Sequence, residues 1–187
     1  MSKQVITSAG TSVATTPALL KMLQKHRWDD NGFYPSPCSY WDSLTDDCYG
    51  AQDCLDYGGG RYELTTDCLA EHKIRNWVYD PFNRSVQHNE YVQRMLSTRP
   101  ADFAICSNVL NVIREPAARQ GVLRHIRELT KTLGSVFFTV YEGGRSSKGR
   151  KTTKGWQANR PTKSYVREVK RVFGDTQVHG KLIVGRA

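Results

Sequence analysis

No apolar run in the 187-residue sequence approaches the length of a membrane span. The N-terminus, Met1-Ser2-Lys3-Gln4-Val5, lacks the apolar centre of a secretory signal. Cysteine is scarce: Cys38, Cys48, Cys54, Cys68 and Cys106 are odd in number and form no CxxC pair. That argues against a zinc centre, so no metal is expected, and the thiols are expected to be reduced in a cytoplasmic protein. His26, His72, His88, His125 and His179 are scattered and form no catalytic constellation. Internal repeats are absent.

Acids are missing from one stretch. Between Gly143 and Tyr165 stand Arg145, Lys148, Arg150, Lys151, Lys154, Arg160 and Lys163 with no Asp or Glu, interrupted by Trp156-Gln157. Over the whole chain 27 Lys and Arg oppose 18 Asp and Glu, a net charge of +9 that favours a polyanionic partner. Cations neutralise phosphates and an aromatic stacks on an exposed base. Arg145, Lys148, Arg150, Lys151, Lys154, Trp156 and Arg160 are therefore the expected nucleic-acid contacts; a solvated loop has the same composition.

What is present centres on Leu55-Asp56-Tyr57-Gly58-Gly59-Gly60-Arg61-Tyr62. A short apolar run, Ala51 to Asp56, reads as a strand. The glycines read as a strand-to-helix turn, where φ > 0 and close approach to a ligand are permitted. The helix that follows, Tyr62 to His72 with Leu64, Cys68 and Leu69 inward, would offer an N-terminus to an anion. A second strand, Asn76-Trp77-Val78-Tyr79-Asp80, ends in an acid about twenty residues on, the spacing of a βαβ nucleotide site.

Around this centre the chain alternates. Residues 1–14 read as a loose arm, and Thr16-Pro17 opens a helix striped by Leu19, Leu20 and Leu23. Residues 28–50 are loop-like but rich in aromatics, either a covering on the sheet or a lid. Ser85 caps a helix with Tyr91, Val92, Met95 and Leu96 on one side, stopped at Pro100. Phe103 to Cys106 is a third strand. Pro116 starts a helix with Val122, Leu123, Ile126, Leu129 and Leu133, ended by Gly134. Val136 to Tyr141 is a strand, and residues 142–161 show no hydrophobic period. Thr162 caps a last helix before two short strands, Thr176–His179 and Lys181–Val184. The pattern predicts an α/β fold: a mostly parallel sheet, helices on both faces, and a C-terminal antiparallel hairpin. Residues 1–50 form an N-terminal helix and covering segment, and 51–187 the ligand-binding domain, with ligands beyond the strands' carboxyl ends.

Those residues carry a resemblance. Leu55-Asp56-Tyr57-Gly58-Gly59-Gly60 resembles the first motif of class I S-adenosylmethionine-dependent methyltransferases. Asp80 falls at that family's ribose-binding acid, and Ala101 to Leu110 is similar to its fourth strand and the loop lining the methyl donor. The likeness covers roughly residues 51–187 and implies a Rossmann-like fold with S-adenosylmethionine as cofactor. The implied cofactor contacts are Asp56, Gly58, Gly59, Gly60, Asp80, Pro81, Phe82, Ser107, Asn108 and Val109. Ser107 to Ile113, with Glu115-Pro116 and Arg119, further resembles a bacterial group of methyltransferases associated with DNA phosphorothioation; no substrate is carried over from it.

The chain departs from the family pattern twice. Asp80 and Asp102 stand too close for a helix, a strand and a second helix, so the third strand is expected to be reduced or missing. The D/N-P-P-Y/F tetrapeptide is absent after the fourth strand; Cys106 is preceded by Ile105, and Pro37-Cys38 lies ahead of the first strand, which disfavours the usual base-amino and cytosine-C5 routes. Methyl transfer is an in-line displacement that needs alignment more than a strong base. Asn108 and Asn111 are placed to orient an acceptor, and Tyr141 and Glu142 bring a phenol and a carboxylate, Glu142 being the candidate proton acceptor. The expected catalytic set is Asn108, Glu142 and Tyr141. The expected function is methylation of nucleic acid. A small-molecule or nucleotide enzyme transferring a methyl or aminocarboxypropyl group, and a silent nucleic-acid-binding module, are the alternatives.

Overall fold

The computed structural model describes residues 52–143, 149–152 and 155–187. The expectations for residues 1–50 lie outside these, as do Arg145, Lys148 and Lys154. Along the chain run β1 (Gln52–Tyr57), α1 (Leu64–Ala70), β2 (Ile74–Tyr79), α2 (Val86–Thr98) and β3 (Ala101–Ser107). A 3-10 turn (Leu110–Val112), α3 (Pro116–Glu128), β4 (Thr130–Thr139), β5 (Arg150–Thr152) and β6 (Gly155–Gln157) follow. A second 3-10 turn (Thr162–Tyr165), α4 (Val166–Phe173), β7 (Thr176–His179) and β8 (Leu182–Arg186) complete it.

The main sheet has six strands in the order β2-β1-β3-β4-β8-β7. β2, β1, β3 and β4 are parallel, while β8 pairs antiparallel with β4 and β7. The chain therefore reverses its strand order beside β1, between β1 and β3, which puts the crevice for a ligand at their carboxyl ends. β2 is the sheet edge, so the expected loss of a third strand holds among the described residues. β1 and β3 are buried almost throughout because both faces are covered. On one face Leu55, Ala104, Val136 and Phe138 pack with Val92 and Leu96 of α2, Leu123 and Ile126 of α3, and Val169 and Phe173 of α4. On the other, Cys54, Phe103, Ile105, Phe137, Leu182 and Val184 meet Leu69 of α1.

Several boundaries differ from expectation for local reasons. α1 is a seven-residue helix, with Leu69 buried but Leu64 exposed. Lys73, at φ 56, turns the chain into β2. Ser85 does cap α2, accepting the His88 N–H at 3.1 Å. Val92 and Leu96 are buried, but Tyr91 and Met95 face outward, and Tyr91 lies against Trp77 instead. α3 ends at Glu128, not at Gly134. β4 starts at Thr130, and its pairing jumps from Ala101↔Thr130 to Phe103↔Ser135. The intervening residues bulge out, leaving Leu133 72% exposed. Gly134 sits inside that bulge, where a Cβ would come within 2.9 Å of Asp102 O. Residues 142–161, expected to be irregular, contain the β5–β6 hairpin. Thr162 opens a 3-10 turn that leads into α4.

Candidate active site

The turn after β1 needs its three glycines for different reasons. Gly58 and Gly60 have φ of 77° and 80°, left-handed conformations that side chains rarely adopt. A Cβ on Gly58 would also overlap Val109 of the turn after β3. A Cβ on Gly59 would lie 2.6 Å from the Asp56 carboxyl carbon, and Asp56 is fully buried. The Gly58 N–H donates to Tyr79 O at 2.7 Å, which extends the β1–β2 ladder by one bond. α1 starts beyond this turn and is too short to present the expected helix N-terminus. The Gly60 N–H goes instead to Asp80 Oδ2, at 2.9 Å.

Asp80, 2% exposed, follows the last residue of β2. Its Oδ1 accepts from the N–H groups of Phe82 (2.9 Å) and Asn83 (3.0 Å). Its Oδ2 accepts from Gly60 N and from Asn83 Nδ2, the latter at 2.8 Å. Four donors match the lone-pair capacity of a carboxylate. Two residues that sequence reasoning missed complete this corner. Arg84 donates from Nε to Gly60 O at 2.7 Å and pairs through Nη1 with Glu63. Asn89, buried on α2, holds the main chain of Asp80. The signal for Asn89 was a polar residue among the buried positions of α2. Pro81 and Phe82 are exposed beside the acid, Phe82 by 49%.

Across the turn, Ser107 Oγ shares a 2.8 Å hydrogen bond with Thr139 Oγ1, joining the ends of β3 and β4. Asn108 adopts φ 60 and donates its N–H to Thr139 O at 2.9 Å. Asn tolerates this left-handed position better than most residues. Thus the structure gathers Asp56, Gly58, Gly59, Gly60, Asp80 and Val109 into one contiguous corner, with Ser107 and Asn108 leading into it.

The catalytic set is not joined in this way. Tyr141 is 60% exposed. Glu142 accepts the Thr162 N–H at 2.9 Å and lies 3.6 Å from Lys181 Nζ. The Thr162 bond holds its carboxyl below the usual range against the opposing effect of burial, and Lys181 adds to it. Among the described residues no hydrogen bond connects Asn108, Tyr141 and Glu142.

The hairpin folds back onto this region. Ala158 N donates to Asn111 O at 2.7 Å. Trp156 packs against Gly149 and lies under the Arg114 guanidinium, 5.1 Å from ring centroid to Cζ. Arg160 donates to Glu168 Oε1 at 2.9 Å and sits 3.8 Å over the Tyr165 ring. Buried Arg119 grips Glu168 with two bonds of 2.6 and 3.0 Å, and also donates to Ile113 O at 2.7 Å. Burial pushes the Glu168 carboxyl up, but Arg119 and Arg160 outweigh it and bring it below the usual range. Of the expected nucleic-acid contacts, Trp156 and Arg160 are thus engaged in packing and ion pairing, while Arg150 and Lys151 are exposed. Among the described residues Asn111 Oδ1 and Asn159 Oδ1 are buried without a hydrogen-bond partner, the first on a residue of the Ala158–Asn111 link and the second on the residue after Ala158.

Comparison with known proteins decides the family. Residues 17–170 match the family described as "Methyltransferase domain". The chain belongs to that family. No curated protein sequence matches it. Among solved structures it is similar to the sugar N-methyltransferase KedS8 from Streptoalloteichus sp ATCC 53650, at 12% identity and TM-score 0.51, over 73% of this chain and 80% of that one. It is likewise similar to the Burkholderia thailandensis 1,6-didemethyltoxoflavin-N1-methyltransferase, solved with 1,6-didemethyltoxoflavin and S-adenosylhomocysteine. There the identity is 17% and the TM-score 0.51, over 91% and 86% of the two chains. PigF with SAH aligns at 14% identity and TM-score 0.50, over 72% of this chain but only 50% of PigF. The class I methyltransferase fold, methyltransferase activity and S-adenosylmethionine as the family's cofactor are therefore borne out. No described helix is long and apolar enough to cross a membrane. No described group of His, Cys, Asp and Glu could hold a metal ion.

Proposed function

We propose that this methyltransferase acts on a small polar acceptor seated between the turn at residues 107–113 and residues 158–160. What supports the cofactor half is the glycine cradle, closed by Asp56 behind Gly59 and tied to Asp80 through Gly60 N. Gly58, Gly59 and Gly60 with Asp56 and Asp80 would hold the cofactor, with Pro81 and Phe82 as an apolar ledge and Ser107, Asn108 and Val109 as the opposite wall. When bound, the cofactor supplies a methyl group on a sulfonium, already electrophilic. The chain's own task is then alignment and exclusion of water.

What supports the acceptor half is the pair of amide oxygens, Asn111 Oδ1 and Asn159 Oδ1, that have no partner among the described residues. A buried acceptor left unpaired costs about 1–3 kcal/mol, which a ligand O–H or N–H would recover. Asn108 and Asn111 orient the acceptor in this reading. Glu142, held by Thr162 and Lys181, positions the segment that carries Asn159 and Arg160.

A second reading, a nucleic-acid acceptor, is favoured by exposed Arg150 and Lys151 on β5 and by the net charge of +9. The deciding experiment supplies S-adenosylmethionine labelled in the methyl group with DNA, RNA or a pool of polar metabolites. Label in the metabolite pool is the expected result. Label in nucleic acid would replace the first reading with the second. Cofactor binding without turnover on any acceptor would leave a silent binding module.

A further inference from the structure

The last register pair of β1 and β2 is Tyr57↔Tyr79, so Asp80 stands one residue beyond the ladder. Its peptide groups are buried there and must find partners elsewhere. The side chain of Asn89 is the partner of the N–H and shares the C=O with the Arg84 N–H, which donates to Asp80 O at 3.0 Å. Asn89 Oδ1 accepts the Asp80 N–H at 2.8 Å, and Asn89 Nδ2 donates to Asp80 O at 3.0 Å. The same Nδ2 reaches Ser85 O at 2.9 Å, so the amide ties the acid's main chain to the first turn of α2. Asn89 is itself buried and has no contact with the glycine turn through any of these bonds.

An amide gripping the N–H and the C=O of one residue fixes both its φ and its ψ, and with them the direction of its Cβ. The direction matters because the Asp80 carboxylate has one exchangeable position. Three of its four donors are main-chain N–H groups, from Gly60, Phe82 and Asn83. The fourth, Asn83 Nδ2, is a side-chain group at 2.8 Å that a rotamer change removes. A ribose hydroxyl can take that position only while the carboxylate keeps its aim.

We propose that Asn89 is the positioning residue for ribose recognition: it sets the Asp80 carboxylate through the Asp80 main chain and never touches the cofactor. The proposal rests on the reading of Asp80 as the cofactor's ribose acid.

The test is calorimetric binding of S-adenosylhomocysteine and of its 2′,3′-dideoxyribose counterpart to wild type, Asp80→Ala and Asn89→Ala. Wild type should favour the ribose form by at least about tenfold, the lower end for hydrogen bonds to a charged group. Asn89→Ala should lose about that factor for S-adenosylhomocysteine and none for the dideoxy form, so that the preference collapses as it does in Asp80→Ala. A purely structural role would weaken both ligands equally, and that result overturns the proposal. So does a preference that survives Asn89→Ala while Asp80→Ala abolishes it; the cofactor reading then stands and this inference alone fails. Wild type that binds neither ligand overturns the cofactor reading and the inference with it. Should Asn89→Ala not fold, Asn89→Asp carries the same comparison, because it keeps the acceptor for the Asp80 N–H and loses the donor. Loss of a cooperative melting transition in both variants would make Asn89 a fold residue and overturn the proposal.

Discussion

Gly59 has the narrowest tolerance in the site. Its φ is unremarkable, but a methyl there meets the Asp56 carboxyl, and fully buried Asp56 has nowhere to retreat. Gly59→Ala should therefore weaken cofactor binding at least tenfold, about 1.4 kcal/mol, with little change in far-ultraviolet circular dichroism. Asp80→Ala should cost roughly 1.5–3 kcal/mol of cofactor affinity, the range for a charge-assisted hydrogen bond. Calorimetry reads both. Gly59 and Asp80 were visible in the sequence as motif positions. Asn89 showed only as a polar residue in register with Val92 and Leu96, and its role was hidden because it depends on the strand ladder ending one residue before Asp80.

The β5–β6 hairpin is the element on which the acceptor readings diverge. Trp156 packs on Gly149 and beneath Arg114, and Ala158 is bonded to Asn111, so the indole anchors the hairpin against the turn after β3. Trp156→Ala should raise the acceptor KM more than it lowers kcat, and leave cofactor affinity unchanged. Equal losses in cofactor and acceptor binding would show general unfolding instead. If nucleic acid is the acceptor, Arg150→Ala and Lys151→Ala should each flatten log affinity against log salt by roughly 0.7–0.9. A fluorescence titration showing no salt dependence in wild type would remove that reading. The sequence had no means of separating these outcomes. Seven cations and a tryptophan fit a polyanion groove, yet Arg160 is spent on Glu168, an acid that lies in the following helix.

At the scale of the whole molecule, stability rests on a sheet covered on both faces. Leu123, fully buried on α3, touches this core, and Leu123→Ala should cost about 2–5 kcal/mol by denaturant titration. The pH dependence has a separate source. His125 shares a 3.1 Å hydrogen bond with the Tyr57 hydroxyl and lies edge-on to Tyr57 and Tyr79. Burial lowers its pKa, with Glu128 opposing. The unfolded chain therefore binds the extra proton first, so this contribution is complete above about pH 6.5 and declines as the pH falls below it. The melting temperature should fall from about pH 7.5 to about pH 5.5, and His125→Phe should flatten that slope. Burial raises the Asp53 carboxyl, but Arg75, Trp77 and Arg99 together bring it below the usual range. Its contribution, like that of Glu168, is lost only further into acid, below about pH 4.

The order of the main-sheet strands and their helices, the glycine turn, Asp56 and Asp80 and the missing third strand were legible in the sequence alone; the β5–β6 hairpin was not. Each is a local matter: φ > 0 requires glycine, apolar runs make strands, and too few residues separate Asp80 from Asp102 for another strand. Only the tertiary structure decided which groups were already engaged. The Asp80 carboxylate is filled by Gly60 and the following turn, Glu142 is taken by Thr162, and Leu133 is expelled by a register jump in β4. A side chain's chemistry is set by the hydrogen-bond partners that folding brings to it, and those partners come from distant positions that no spacing rule connects.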